Sequence, residues 1–147
     1  FHVFNEAELH SRAEIKYETY NKAINIEALT MIDMAGKQII PAVVKYTKTL
    51  ADTANAIKAA GGDASVQTEL LADVSTKLAA MQKELNKLVA DEKEASAMED
   101  VKAQAFFYKD TIKATMDELR KPADELEMIV DKDVWPIPTY GELMFEV

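Results

Sequence analysis

Apolar residues recur along this chain in steps of three and four, the repeat that lines one face of an α-helix. The first run takes Ile24, Ala28, Met31, Ala35, Ile39, Val43, Tyr46, Leu50 and Ile57. A start signal precedes it: Asn5 is a good N-cap, Glu8 three residues on closes a capping box, and Phe4 can staple to Leu9. No strong stop comes before Gly61-Gly62, so the reading is one helix over 5–60. Pro41 interrupts it. A mid-helix proline loses a hydrogen bond and crowds the preceding turn, which predicts a kink near residues 37–41, or a split there that makes four helices of three.

After the glycine pair, Asp63 or Ser65 can cap a second helix over 64–94. Its seam is regular, with Leu71, Val74, Leu78, Met81, Leu85 and Leu88 at coiled-coil-like a and d positions. Ser96 with Glu99 reads as a further capping box, opening a third helix over 97–131 that carries Val101, Ala105, Tyr108, Ile112, Met116, Leu119, Ala123, Leu126 and Val130. The step from Ile112 to Met116 is an extra four, a stutter that relaxes supercoiling, and Pro122 predicts another kink. Short connections make sequential helices antiparallel neighbours. The expected fold is therefore all-α: an antiparallel up-down-up bundle of three long helices in a single domain, 1–147. Residues 5–25 overhang one end or fold back as a separate fourth helix, and an extended tail, 134–147, leaves at the other. Trp135-Pro136-Ile137-Pro138 should lie extended in a groove with Trp135 as its anchor, because two prolines around one residue end a helix.

Composition narrows the classes. The chain has 147 residues, 48% of them hydrophobic, which suffices for one buried core. Four Gly and four Pro are too few for the turns of a β-sandwich or barrel. The net charge of −9 argues against nucleic acid or an anionic membrane as partner, since phosphate binding needs a basic face. Zero Cys excludes disulfides and thiolate chemistry. No apolar run reaches the ~18 residues of a membrane span. The chain begins at Phe1, and the expectation is a piece of something longer.

Catalytic signals are sparse. There is no phosphate loop, and Ser11, Ser65, Ser75 and Ser96 have no nucleophile-elbow context. Glu6, His10 and Glu14 share one helix face and could gather metal ligands, yet a di-metal carboxylate bundle needs histidines on two helices, so a solvated face is the expectation. Glu27 and Asp33 sit in an apolar stretch, where a salt bridge inside the bundle or a polar contact to a neighbouring domain is expected before acid–base chemistry. Met31 and Met34 with Ile32, Ile39 and Ile40 could line a lipid or cofactor groove, though methionine at helical spacing is first a core filler. Phe106-Phe107-Tyr108 spans most of a helical circumference, so one ring at least must leave the seam. Large apolar residues at the two ends exceed what three helices cover, which marks Phe4, Tyr17, Tyr20, Phe106, Phe107, Trp135, Ile137, Tyr140, Leu143 and Phe145 as interface candidates.

Several segments resemble a known family. Ile26-Glu27-Ala28-Leu29-Thr30-Met31-Ile32-Asp33-Met34-Ala35, followed by Ile40-Pro41-Ala42-Val43, is similar to the start of the C-terminal helical region of type III glutamine synthetases. The ending Trp135-Pro136-Ile137-Pro138-Thr139-Tyr140-Gly141-Glu142-Leu143-Met144-Phe145 is similar to that family's terminus, and Glu8–Ile15, Asp117–Arg120 and Ala123–Glu127 also fit. Lys121-Pro122 departs from the pattern; residues 50–100 are generic helix. The resemblance implies a cytoplasmic parent that makes glutamine from glutamate and ammonia with ATP and divalent metal, in an N-terminal catalytic domain, and that assembles as a large homo-oligomer. Its catalytic, ATP and metal residues belong to segments outside this chain, so the fragment is expected to carry no cofactor and to serve packing or assembly. The alternative is a stand-alone helical interaction module without an enzymatic parent; an independent enzyme or metal-binding bundle ranks last.

Overall fold

The computed structural model describes residues 5–138 and 140–145, and every described regular element is helical. Helix α1 (Glu6–Met34) opens on the expected capping box. The Asn5 side-chain oxygen accepts from the Glu8 N–H at 2.8 Å, and Glu8 accepts from the Asn5 N–H at 2.9 Å. The Phe4 half of the staple lies outside the described residues. A π-helical segment, Ala35–Ile39, joins α1 to α2 (Ile40–Ala59) without a break. This is the answer to Pro41. An α-helical turn would drive the proline ring into the Lys37 carbonyl; the wider turn, in which the Ile40 N–H donates to the Ala35 carbonyl five residues back, relieves the clash. The helix is not split.

Gly61, at φ 79°, ends the rod in the left-handed conformation that favours glycine, and the Gly62 N–H donates to the Ile57 carbonyl at 2.9 Å. Helix α3 (Ser65–Ser96) follows, with the Asp63 carboxylate accepting from the Ser65 N–H. Ser96 does not open the third helix, as its capping box suggested. It closes α3, its hydroxyl turned back to Glu92, and Asp100 caps α4 (Val101–Phe107) by accepting from the Lys102 and Ala103 N–H groups. A second π segment, Tyr108–Ile112, leads into α5 (Lys113–Glu127), which continues past Pro122 for five further residues. The third rod thus spans 101–127 rather than 97–131.

Packing centres on α3, which touches α2 along one side and α5 along another, while α1 lies against α4. Lys77 reaches Glu125 at 3.7 Å and Thr115 donates to Asp91 at 2.7 Å, so α3 and α5 run in opposite directions. Val74, Met81 and Leu88 on the α3 seam are fully enclosed, as are Val43, Ile112 and Leu126 from its neighbours. Asn25 donates to both Glu92 and the Tyr108 hydroxyl, tying α1 to α3 and to the second π segment.

The tail is only partly extended. Trp135 is buried, and Val134 and Ile137 pack on the same core. Past Pro138 a short helix, α6 (Tyr140–Phe145), replaces the expected extended end. Glu142 favours a helix's first turn, and no proline follows to prevent one; Lys132 meets Glu142 at 3.0 Å. Nor does the tail leave at the far end: Asp133, Val134 and Pro136 lie beside Lys37, Pro41 and Lys45, midway along the first rod, because α5 stops at Glu127.

Candidate functional site

Where α1 and α5 diverge they leave a groove of about 550 Å³. Ile26, Met31, Met34, Ala35 and Ile39 form one wall, Met116, Leu119 and Ala123 the other, and Met81 of α3 the floor. Ile137, Pro138 and Leu143 of the tail close one side. Four charged residues, Glu27, Arg120, Asp124 and Glu127, stand among this apolar lining. Arg120 Nε lies 3.3 Å from Asp124. The apolar stripe of the first rod therefore serves two ends: Ala35 and Ile39 are buried at the base of the slot, and the less buried Met31 and Met34 line its open part.

The residues singled out from the sequence scatter. Trp135 is an anchor, 7% exposed, with an indole N–H that finds no hydrogen-bond partner among the described residues. Tyr20, Phe107 and Ile137 pack partly on the core. Tyr17 edges a shallow recess shared with His10, Glu14, Glu99 and Asp100. Phe106 is the ring that leaves the seam, half-exposed under Lys109, whose Nζ stands 5.9 Å from the ring centre, while Tyr108 is enclosed. Leu143 and Phe145 are 69% and 80% exposed, with Met144 between them at 73%. Phe4 and the Tyr140 side chain lie outside the described residues. Of the described members of that set, the groove brings together Ile137 and Leu143; its α1 wall includes Met31 and Met34, for which the sequence ranks core filling ahead of a groove, and its α5 wall was missed because it looked like ordinary core stripe.

Other candidates resolve simply. His10 Nδ1 and Glu14 lie 3.5 Å apart on a solvated face, and among the described residues no three His, Asp or Glu side chains gather as a metal site. Glu27 and Asp33 are exposed rather than inside the bundle, and Asp33 pairs with Lys37 one turn along its own helix. Lys77 has its pKa raised, first by the hydrogen bond it donates to Asp73, which outweighs the cost of burial, and then by the charges of Asp73 and Glu125. Glu118 is lowered and Lys121 raised by their mutual hydrogen bond. These are ion pairs on helix flanks, without a nucleophile or acid–base couple between them. No described helix is long and apolar enough to cross a membrane.

Comparison with known proteins gives consistent matches. Residues 1–58 match the family described as the glutamine synthetase C-terminal domain. A glutamine synthetase of Butyrivibrio fibrisolvens is 37% identical over 147 residues, 99% of this chain and 21% of that protein. A glutamine synthetase of Bacteroides fragilis (strain YCH46) is 30% identical, covering 97% of this chain and 20% of its own length. The type-3 glutamine synthetase of Dictyostelium discoideum is likewise 30% identical with the same coverage. The chain spans about a fifth of the length of the relatives it matches.

Proposed function

We propose, from this chain's membership of the glutamine synthetase C-terminal domain family, that it is a non-catalytic helical module for domain packing and oligomer assembly in a cytoplasmic glutamate–ammonia ligase. The ligase would use ATP and divalent metal in its catalytic domain, and this chain would dock on that domain and on further copies. Three long helices in an up-down-up bundle suit the role, a reading supported by the opposed run of α3 and α5 and the short turns between rods. Alignment of relatives over 97–99% of the chain favours a region of a larger protein over a stand-alone module.

One observation carries the proposal. Leu143, Met144 and Phe145 stand more than two-thirds exposed beside an open apolar groove, on a chain whose core is already closed without them. Large apolar side chains left together in water mark a surface that another surface covers. Deleting residues 140–147 from the parent enzyme tests it while sparing buried Trp135. Circular dichroism should show the helices intact, and sedimentation should show weakened assembly. An oligomer of unchanged size removes the assembly role.

A further inference from the structure

Resting on the docking role above, we propose that the groove between α1 and α5 receives an amphipathic helix whose flanks carry basic residues. The slot runs from Ile26 to Ile39 along the first rod, roughly 20 Å at helical rise, which is the length of a partner helix of about 13 residues. It is open to solvent rather than enclosed, so a continuous helix face fits it better than a compact small molecule. Met31, Met34 and Met116 give it unbranched, polarisable walls that adapt to branched side chains from a partner, above a floor closed by the buried Met81. Charge selects the partner's flanks. Three carboxylates, Glu27, Asp124 and Glu127, share the lining with one guanidinium, Arg120, and the whole chain is at −9. A second copy of this acidic chain would set like charges against one another; a helix flanked by lysine or arginine would not.

The test uses the 147-residue chain and a labelled amphipathic Leu/Lys model peptide of about 14 residues, with its Leu/Glu counterpart as control. Fluorescence anisotropy is read at physiological salt, where exposed charges more than about 8 Å apart are largely screened. Saturable one-to-one binding of the Leu/Lys peptide is expected, at least tenfold tighter than that of the Leu/Glu peptide. Met34→Lys should weaken it tenfold or more, and so should Glu27→Lys, whose side chain is exposed and outside the core. Glu69→Lys, with the same charge change on α3, should leave it unaltered. Equal weakening by Glu27→Lys and Glu69→Lys means general attraction to an acidic protein and overturns the groove. A chain that dimerises, with the dimer lost in Met34→Lys, overturns the basic helix in favour of a second copy. Failure of the peptide while residues 140–147 still govern assembly of the parent overturns this inference and leaves the assembly reading intact.

Discussion

Leu85 is 7% exposed inside the core, while Leu78, two seam positions before it, is only half-buried near the point where α5 gives way to the tail. Leu85→Ala should therefore cost ~2–5 kcal/mol, through lost burial and the cavity left behind, and Leu78→Ala distinctly less. Urea midpoints of the two variants check the order. The Tyr108 hydroxyl accepts from Asn25 at 3.0 Å in an otherwise closed setting. Tyr108→Phe should cost about 0.5–1.5 kcal/mol, the worth of an ordinary hydrogen bond, with the helices unchanged by circular dichroism. Lys77 offers a pH test. Its pKa is raised above the ordinary 10.5, so the cation stabilises the fold throughout the range below that value and ceases to as pH climbs through the folded value. Lys77→Met should lower the urea midpoint at pH 8, and the gap to the unmodified chain should close as pH climbs through the raised folded value. A gap that persists at high pH would assign the loss to the packing of the lysine stem.

The two π segments show what was legible at the level of elements. Both fall where the apolar stripe takes consecutive steps of four: Met31, Ala35, Ile39, Val43 in the first rod, and Tyr108, Ile112, Met116 in the third. Repeated fours carry one residue too many for an α-helix to hold on a single face, and a wider turn absorbs it. The second was read as a stutter and expected to relax a supercoil; the first was read through Pro41 alone. The third rod's start was misplaced because Ser96-x-x-Glu99 and Asp100 both qualify as caps. Tertiary contact decides between them: α3 continues far enough to bury Ala95, whose carbonyl accepts from Gln104 Nε2 at 2.9 Å. Asp100→Ala should accordingly cost about 0.5–2 kcal/mol and Ser96→Ala far less, as thermal unfolding would show.

For the whole molecule, rods and core stripes were readable because each is a property of one segment, whereas the groove exists only between segments that the periodicity treats separately. The same holds for the tail, whose anchor at Trp135 follows from its prolines but whose return to the middle of the first rod depends on where α5 ends. That first rod is continuous from Glu6 to Ala59, roughly 80 Å at helical rise, and its early turns project from the bundle with only Tyr17 and Tyr20 partly covered before Asn21. An unbroken helix conveys angle as well as distance. The projecting segment 6–14 has its azimuth about the rod fixed by the count of residues between it and the bundle. One alanine inserted between Glu14 and Ile15 would swing that segment by about 100° and advance it by about 1.5 Å, while seven would bring it nearly back into phase about 10 Å further out. In the parent enzyme, assembly that fails with one added residue and partly returns with seven would mark this helix as a spacer that sets orientation, a protractor as much as a ruler.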